Sequence, residues 1–128
     1  MNKQVILTAH APAPIGPYSQ AIKSGDLVFC SGQIPLDPVS GAVVGEGNVE
    51  EQARQVMKNV AAVLAEAGLN FSHVIKSTIF LKNMGDFPKV NGIYGEFFKE
   101  PYPARSTIEV ARLPKDVLVE VEVIARGN

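Results

Sequence analysis

Arg105, Glu109, Glu120 and Glu122 stand in two alternating runs near the end of the chain. A guanidinium is a planar fork that can hold a carboxylate through two hydrogen bonds at once. A carboxylate close to it can take a proton from water. Together with Tyr18 and the main-chain groups around Ser31 and Thr107, this kit suits the binding of a small acid and the activation of water, with no cofactor. The plainer alternative for the same charges is a solvated strand face whose loose pairs contribute roughly 0–1 kcal/mol each.

Other chemistries lack their parts. His10, His73 and Cys30 lie in separate segments without metal-ligand spacing, so no metal site is expected. There is no G-x-S-x-G elbow and no phosphate-binding G-x-x-x-x-G-K. Gly45-Glu46-Gly47 opens like a dinucleotide motif, but Glu50 stands where its third glycine belongs. Cys30, within an apolar run, reads as a small buried hydrophobe.

The charged residues sit on strands. From Val117 to Ala125 the valines at 117, 119, 121 and 123 share one face, and Leu118, Glu120, Glu122 and Ile124 the other. Arg105–Arg112 alternates too, with Ser106, Ile108 and Val110 opposite Arg105, Thr107 and Glu109. Leu113-Pro114-Lys115-Asp116 reads as a short turn, so the two runs are expected to form a hairpin. Matching their apolar faces then puts Arg105 beside Glu120 and Glu122, on the face turned away from the core.

Upstream, Val5–Leu7 is a short strand and Ala9–Pro17 is proline-rich extended chain. Ala21–Ser24 and Leu27–Ser31 flank Gly25-Asp26 as a hairpin. Asn48, with Glu51 three residues on, begins a helix whose stripe runs Val49, Ala53, Val56, Val60, Val63, Leu64 and Ala67, ending at Gly68. Val74–Leu81 carries β-branched and aromatic residues on both faces and is expected to be buried on both. Asp86 and Pro88 open a second helix running to about Lys99, with Val90, Ile93, Tyr94, Phe97 and Phe98 inward. The order is βββαβαββ. Two helices can cover one face of a six-stranded sheet and nothing remains for the other, so an oligomer with pockets between subunits is expected.

The 128 residues make one domain, 46% hydrophobic and 20% charged, with net charge −1. A pI of about 6.1 gives no electrostatic footprint for nucleic acid. A single cysteine excludes an intrachain disulfide, and no stretch is long and apolar enough for a membrane helix; the expected setting is cytosolic.

Four stretches together resemble the Rid family, the reactive intermediate deaminases, and within it the RidA subgroup. They are Ile15-Gly16-Pro17-Tyr18-Ser19-Gln20, Ser31-Gly32-Gln33-Ile34-Pro35, Val90-Asn91 with Tyr94, and Pro103–Val110 continuing through Leu113–Asp116 to Glu120. The resemblance implies a chorismate-mutase-like α+β fold, a homotrimer with a barrel-like sheet core, and clefts between subunits. It implies hydrolysis of 2-imino acids and their enamine tautomers, such as 2-iminobutanoate and 2-iminopropanoate, to 2-oxo acids and ammonia, without a cofactor. Pyridoxal-phosphate dehydratases release such intermediates. Carried over by position, Arg105 binds the substrate carboxylate, Glu120 holds or activates water, and Tyr18, Ser31, Gly32 and Asn91 line the cleft. The Thr107 main chain faces the imine nitrogen; many relatives have cysteine there. Two other readings remain open: a regulatory trimer that binds 2-oxo acids without turnover, and an RNA-cleaving translation inhibitor, which the near-neutral charge argues against.

Overall fold

The computed structural model describes residues 3–127. Its elements follow the expected order: β1 (Lys3–Ile6), β2 (Ala21–Ser24), β3 (Leu27–Cys30), α1 (Val49–Glu66), β4 (Val74–Leu81), α2 (Phe87–Gly95), β5 (Ala104–Glu109) and β6 (Val119–Arg126). The strands form one mixed sheet in the order β1-β2-β3-β6-β4-β5.

Most local signals act where the residues place them, although Asp86, expected to cap α2, makes no capping hydrogen bond there. Asn48 caps α1 by accepting a hydrogen bond from the Glu51 amide, and Gly68 ends it at φ +76. Gly25, at φ +62, turns β2 into β3. Alternation along β6 sends Val119, Val121, Val123 and Ala125 inward, against Val56, Val60, Val63 and Leu64 of α1. Cys30 is buried in this layer, and burial pushes its thiol up to about 12, so it stays protonated and inert.

The sheet departs from expectation at its far end. β5 and β6 are not a hairpin: β4 lies between them, antiparallel to β6 and parallel to β5. The turn at 113–116 therefore carries the chain past the end of β4, with Lys115 and Asp116 both at φ +55. The faces of β5 are also the reverse of those expected. Arg105 is in register with Ser77 and Val123, both on the helix side, whereas Ile108 is in register with Phe80 and Glu120 on the open side. Arg105 thus does not share a sheet face with Glu120.

α2 stops at Gly95 rather than near Lys99. β4 is buried on one face within this chain: Val74, Ser77, Ile79 and Leu81 are inside, while Lys76, Thr78 and Phe80 are half-buried on the uncovered face. That face also presents Phe29, between Ile22 and Ile124, and Ile108, beside Phe80, each 45% exposed.

Buried amides tie the loops to this frame. The Gln20 amide nitrogen donates to the carbonyls of Thr8, Ala11 and Pro12, and its oxygen accepts from the Thr8 amide, which folds the proline-rich segment over β2. Gln52 of α1 accepts from the Leu118 amide and donates to the Gly45 carbonyl, and Asn59 donates to the carbonyls of Ile34 and Leu36. The strand bearing Glu120 and the loop after Gly32 are so fixed to the same helix.

Candidate active site

β5 is an edge strand, and its alternation sets two kinds of groups in place. The Val110 amide donates to the Leu81 carbonyl. Continuing that ladder by alternation, the N–H and C=O groups of Arg105, Thr107 and Glu109 point away from β4, off the edge of the sheet. Thr107 therefore presents its main-chain groups off the free edge of the sheet.

The Arg105 side chain lies beside α2. It donates from Nη1 to Asn91 Oδ1 at 2.8 Å, and its Cζ is 5.0 Å from the Tyr94 ring centre and 5.4 Å from that of Phe87. Tyr94 is buried and donates its hydroxyl to Ser77 Oγ at 2.9 Å. Burial raises the Tyr94 pKa, against the opposing effects of the Ser77 bond and the Arg105 charge, so the phenol stays neutral. Asn91, Tyr94, Gly95, Tyr102, Pro103 and Arg105 line an open cleft of about 480 Å³. Three ion pairs join described residues, Arg54–Glu96, Arg112–Asp116 and Arg126–Asp26. None of them uses Arg105. Its fork is held by an amide oxygen and two aromatic faces, which orient a cation without cancelling its charge.

Glu109 does something else: it accepts a hydrogen bond from the Met84 amide and steadies the entry to α2. It belongs to the scaffold.

The remaining candidates gather on the other side of the sheet. From Phe29 to Gln33 the chain takes four residue steps while its partner strand takes three, from Ile124 to Val121. The extra residue is a bulge, which re-aims this stretch so that Gly32 faces the Glu120 carboxylate. A side chain at Gly32 has no room: its Cβ would lie 1.9 Å from Glu120 Oε2. Ser31 donates its hydroxyl to the Ser19 carbonyl at 2.6 Å and its amide to Gln20, tying the Tyr18 loop to the end of β3. Tyr18 itself is half exposed, its ring edge over Gly16. Glu120 is half-buried, and burial, followed by the like charge of Glu122, raises its pKa above the ordinary carboxylate value. A raised carboxylate is a stronger base for water.

Tyr18, Ser31, Gly32 and Glu120 thus form one group, and Arg105, Asn91 and the Thr107 edge another. By register, two strand spacings and three residue rises separate the Cα atoms of Arg105 and Glu120, about 14 Å, and their side chains leave opposite faces. Within one chain the two groups therefore do not face a common cleft. Sequence reasoning missed Tyr102 in the cleft lining and Phe87 and Ser77 behind it, and placed Tyr94 both on the apolar face of its helix and in the motif with Val90 and Asn91. The Phe87 and Tyr94 rings do belong to a helix with an apolar stripe, and the spacing alone carries no sign that a face of each meets a cation.

The family described as Endoribonuclease L-PSP matches residues 8–127. A RutC family protein of Synechocystis is 56% identical over 126 residues, covering 98% of this chain and 97% of the relative. A crystal structure of a member of the conserved Rid protein family from Yersinia pestis superposes with a TM-score of 0.94 at 50% identity, over 97% of this chain and 98% of that one. The TdcF protein of E. coli, solved with bound serine, gives 0.93 at 44% identity, over 98% and 100%. A six-stranded sheet with two helices on one side, in βββαβαββ order, is the chorismate-mutase-like α+β fold, and the chain belongs to the Rid family.

Proposed function

We propose that this chain is a cofactor-independent hydrolase that converts 2-imino acids such as 2-iminobutanoate and 2-iminopropanoate to 2-oxo acids and ammonia, in clefts shared between the copies of a homotrimer. The observation that carries the reading is the Arg105 fork, oriented by neutral groups and left positively charged beside an open cleft. Serine bound to a relative supports a small amino-acid-like ligand.

The chemistry divides between the two groups of residues. Arg105 holds the carboxylate, and main-chain groups of Thr107 face the iminium nitrogen. Glu120 takes a proton from water as its oxygen bonds to the imine carbon and the C=N electron pair moves to nitrogen. The carboxyl then returns that proton to the amino group of the carbinolamine. The C–N bond breaks, the hydroxyl proton passes back to Glu120 and then to the released ammonia, and the 2-oxo acid remains. An enamine enters by protonation at carbon. Because Arg105 and Glu120 leave opposite faces of one sheet, the cleft takes its arginine from one copy and its glutamate from the next. The uncovered face bearing Phe29, Phe80 and Ile108 is the surface such packing would bury.

Adding the protein to a threonine dehydratase reaction, with semicarbazide competing for the imine, is expected to raise the share appearing as free 2-oxobutanoate. Arg105→Ala is expected to abolish the gain. No gain from a wild-type protein that binds 2-oxobutanoate would mean a binding module instead.

Shared clefts make a second prediction. Arg105→Ala and Glu120→Gln chains, each inactive alone, should regain about a quarter of wild-type activity when unfolded and refolded together at equal amounts, because about one cleft in four then pairs an intact arginine with an intact glutamate. Mixed chains that stay inactive would put the whole site back within one copy.

A further inference from the structure

We propose that Phe87 and Tyr94 are positioning residues that cradle Arg105 and fix the plane of its guanidinium, with Ser77 securing the cradle from beneath the sheet-facing side of α2; this rests on the carboxylate-binding role given to Arg105 above. An exposed arginine on an edge strand has many rotamers, and a carboxylate is gripped by two bonds only when the fork is already in its plane. An acidic neighbour would orient the fork but would also occupy it. Here the orienting groups are neutral. Asn91 Oδ1 takes one N–H, and the Tyr94 and Phe87 rings stand 5.0 and 5.4 Å from Cζ, within the range where a ring face attracts a cation.

The cradle is itself anchored. The Tyr94 hydroxyl is bonded to Ser77, which is fully buried at 0% exposure. Its ring stacks on Phe98 at 4.4 Å and 30°, and Phe98 meets Phe71 edge-on at 5.0 Å. The position of the fork is therefore referred through Tyr94 to the hydrophobic core. A lysine ammonium, a point charge with no plane, could use none of this orientation.

The fork binds the same carboxylate in substrate and transition state, so loosening it should weaken binding far more than turnover. Phe87→Leu and Tyr94→Leu are each expected to raise the KM for 2-iminobutanoate and the Kd for 2-oxobutanoate about 3-fold or more, with kcat changed much less. Tyr94→Phe, which keeps the ring and loses its anchor, should fall between wild type and Tyr94→Leu. Nitrogen-15 NMR of the arginine side chains reads the cradle without any ligand: slow rotation about the Arg105 Nε–Cζ bond in wild type, fast rotation in Phe87→Leu. Phe87 is only half-buried, so this arm survives if Tyr94→Leu fails to fold. Freely rotating Arg105 in wild type, or unchanged KM and Kd in Phe87→Leu, overturns the proposal. Slow rotation with weakened 2-oxobutanoate binding in the variants, but no dehydratase gain from wild type, leaves the cradle standing and removes the hydrolase reading.

Discussion

Glu120→Gln is expected to lower kcat by about 10²–10⁴-fold and at the same time to raise the melting temperature at neutral pH. The first effect follows from the role proposed for Glu120, taking the proton of the attacking water. The second follows from what holds the Glu120 pKa above its ordinary value of 4.5: burial, and then the charge of Glu122. A carboxyl raised in the folded state favours folding when protonated. That contribution is complete below the unfolded pKa and is gone once the pH passes the folded one, so at pH 7 the ionised group works against folding. Glutamine keeps the shape and removes the charge. The stability gain should shrink towards zero as the pH falls below the ordinary carboxylate range, while wild-type activity falls with pH through the raised pKa. Calorimetric melting from pH 4 to pH 7 alongside kcat tests both; an unchanged kcat would remove Glu120 from the chemistry, and a lowered melting temperature would mean the carboxylate is a structural partner.

Gly32→Ala should cost activity almost as heavily with little loss of stability. The new methyl carbon would stand 1.9 Å from Glu120 Oε2 and 2.8 Å from Cδ, closer than atoms can pack. What gives way is the end of a flexible side chain, not the backbone, so the fold survives and the carboxylate swings aside. Misplacing a catalytic group by about 1 Å can cost about 10²-fold, and that loss in kcat/KM is the expected result. Steady-state kinetics with a thermal melt of the same sample decides it: full activity would mean that the carboxylate need not sit over Gly32.

Much of this could be read before any coordinates. Asn48 with Glu51, Gly68, Gly25 and the valines of β6 each act through local chemistry, and local chemistry is what a sequence displays. The pairing of β5 was misread because its pattern does not choose a face. An edge strand wet on both sides has Ile108 outward and Arg105 against α2, and neither assignment is forced by burial. Its partner, β4, is also remote in sequence and reached through α2, whereas a four-residue turn to β6 looks like the shorter route. Arg105, Glu120, Tyr18 and the main chain near Ser31 and Thr107 stood out by residue type and pattern, Asn91, Gly32 and the individual roles came from family resemblance, and the division between two faces came from the register. The extra residue between Phe29 and Gln33, which turns Gly32 toward Glu120, leaves no mark on composition or periodicity.

The free margin of β5 has a consequence for the newly made chain. Hydrogen-bonding groups that point off a sheet invite any extended peptide to dock there and begin a fibril. Arg105 and Glu109, charged and exposed along that strand, discourage such templating. Arg105, proposed above to hold a carboxylate, would on this ground also guard against clumping, and Arg105→Ala is expected to lower solubility together with turnover.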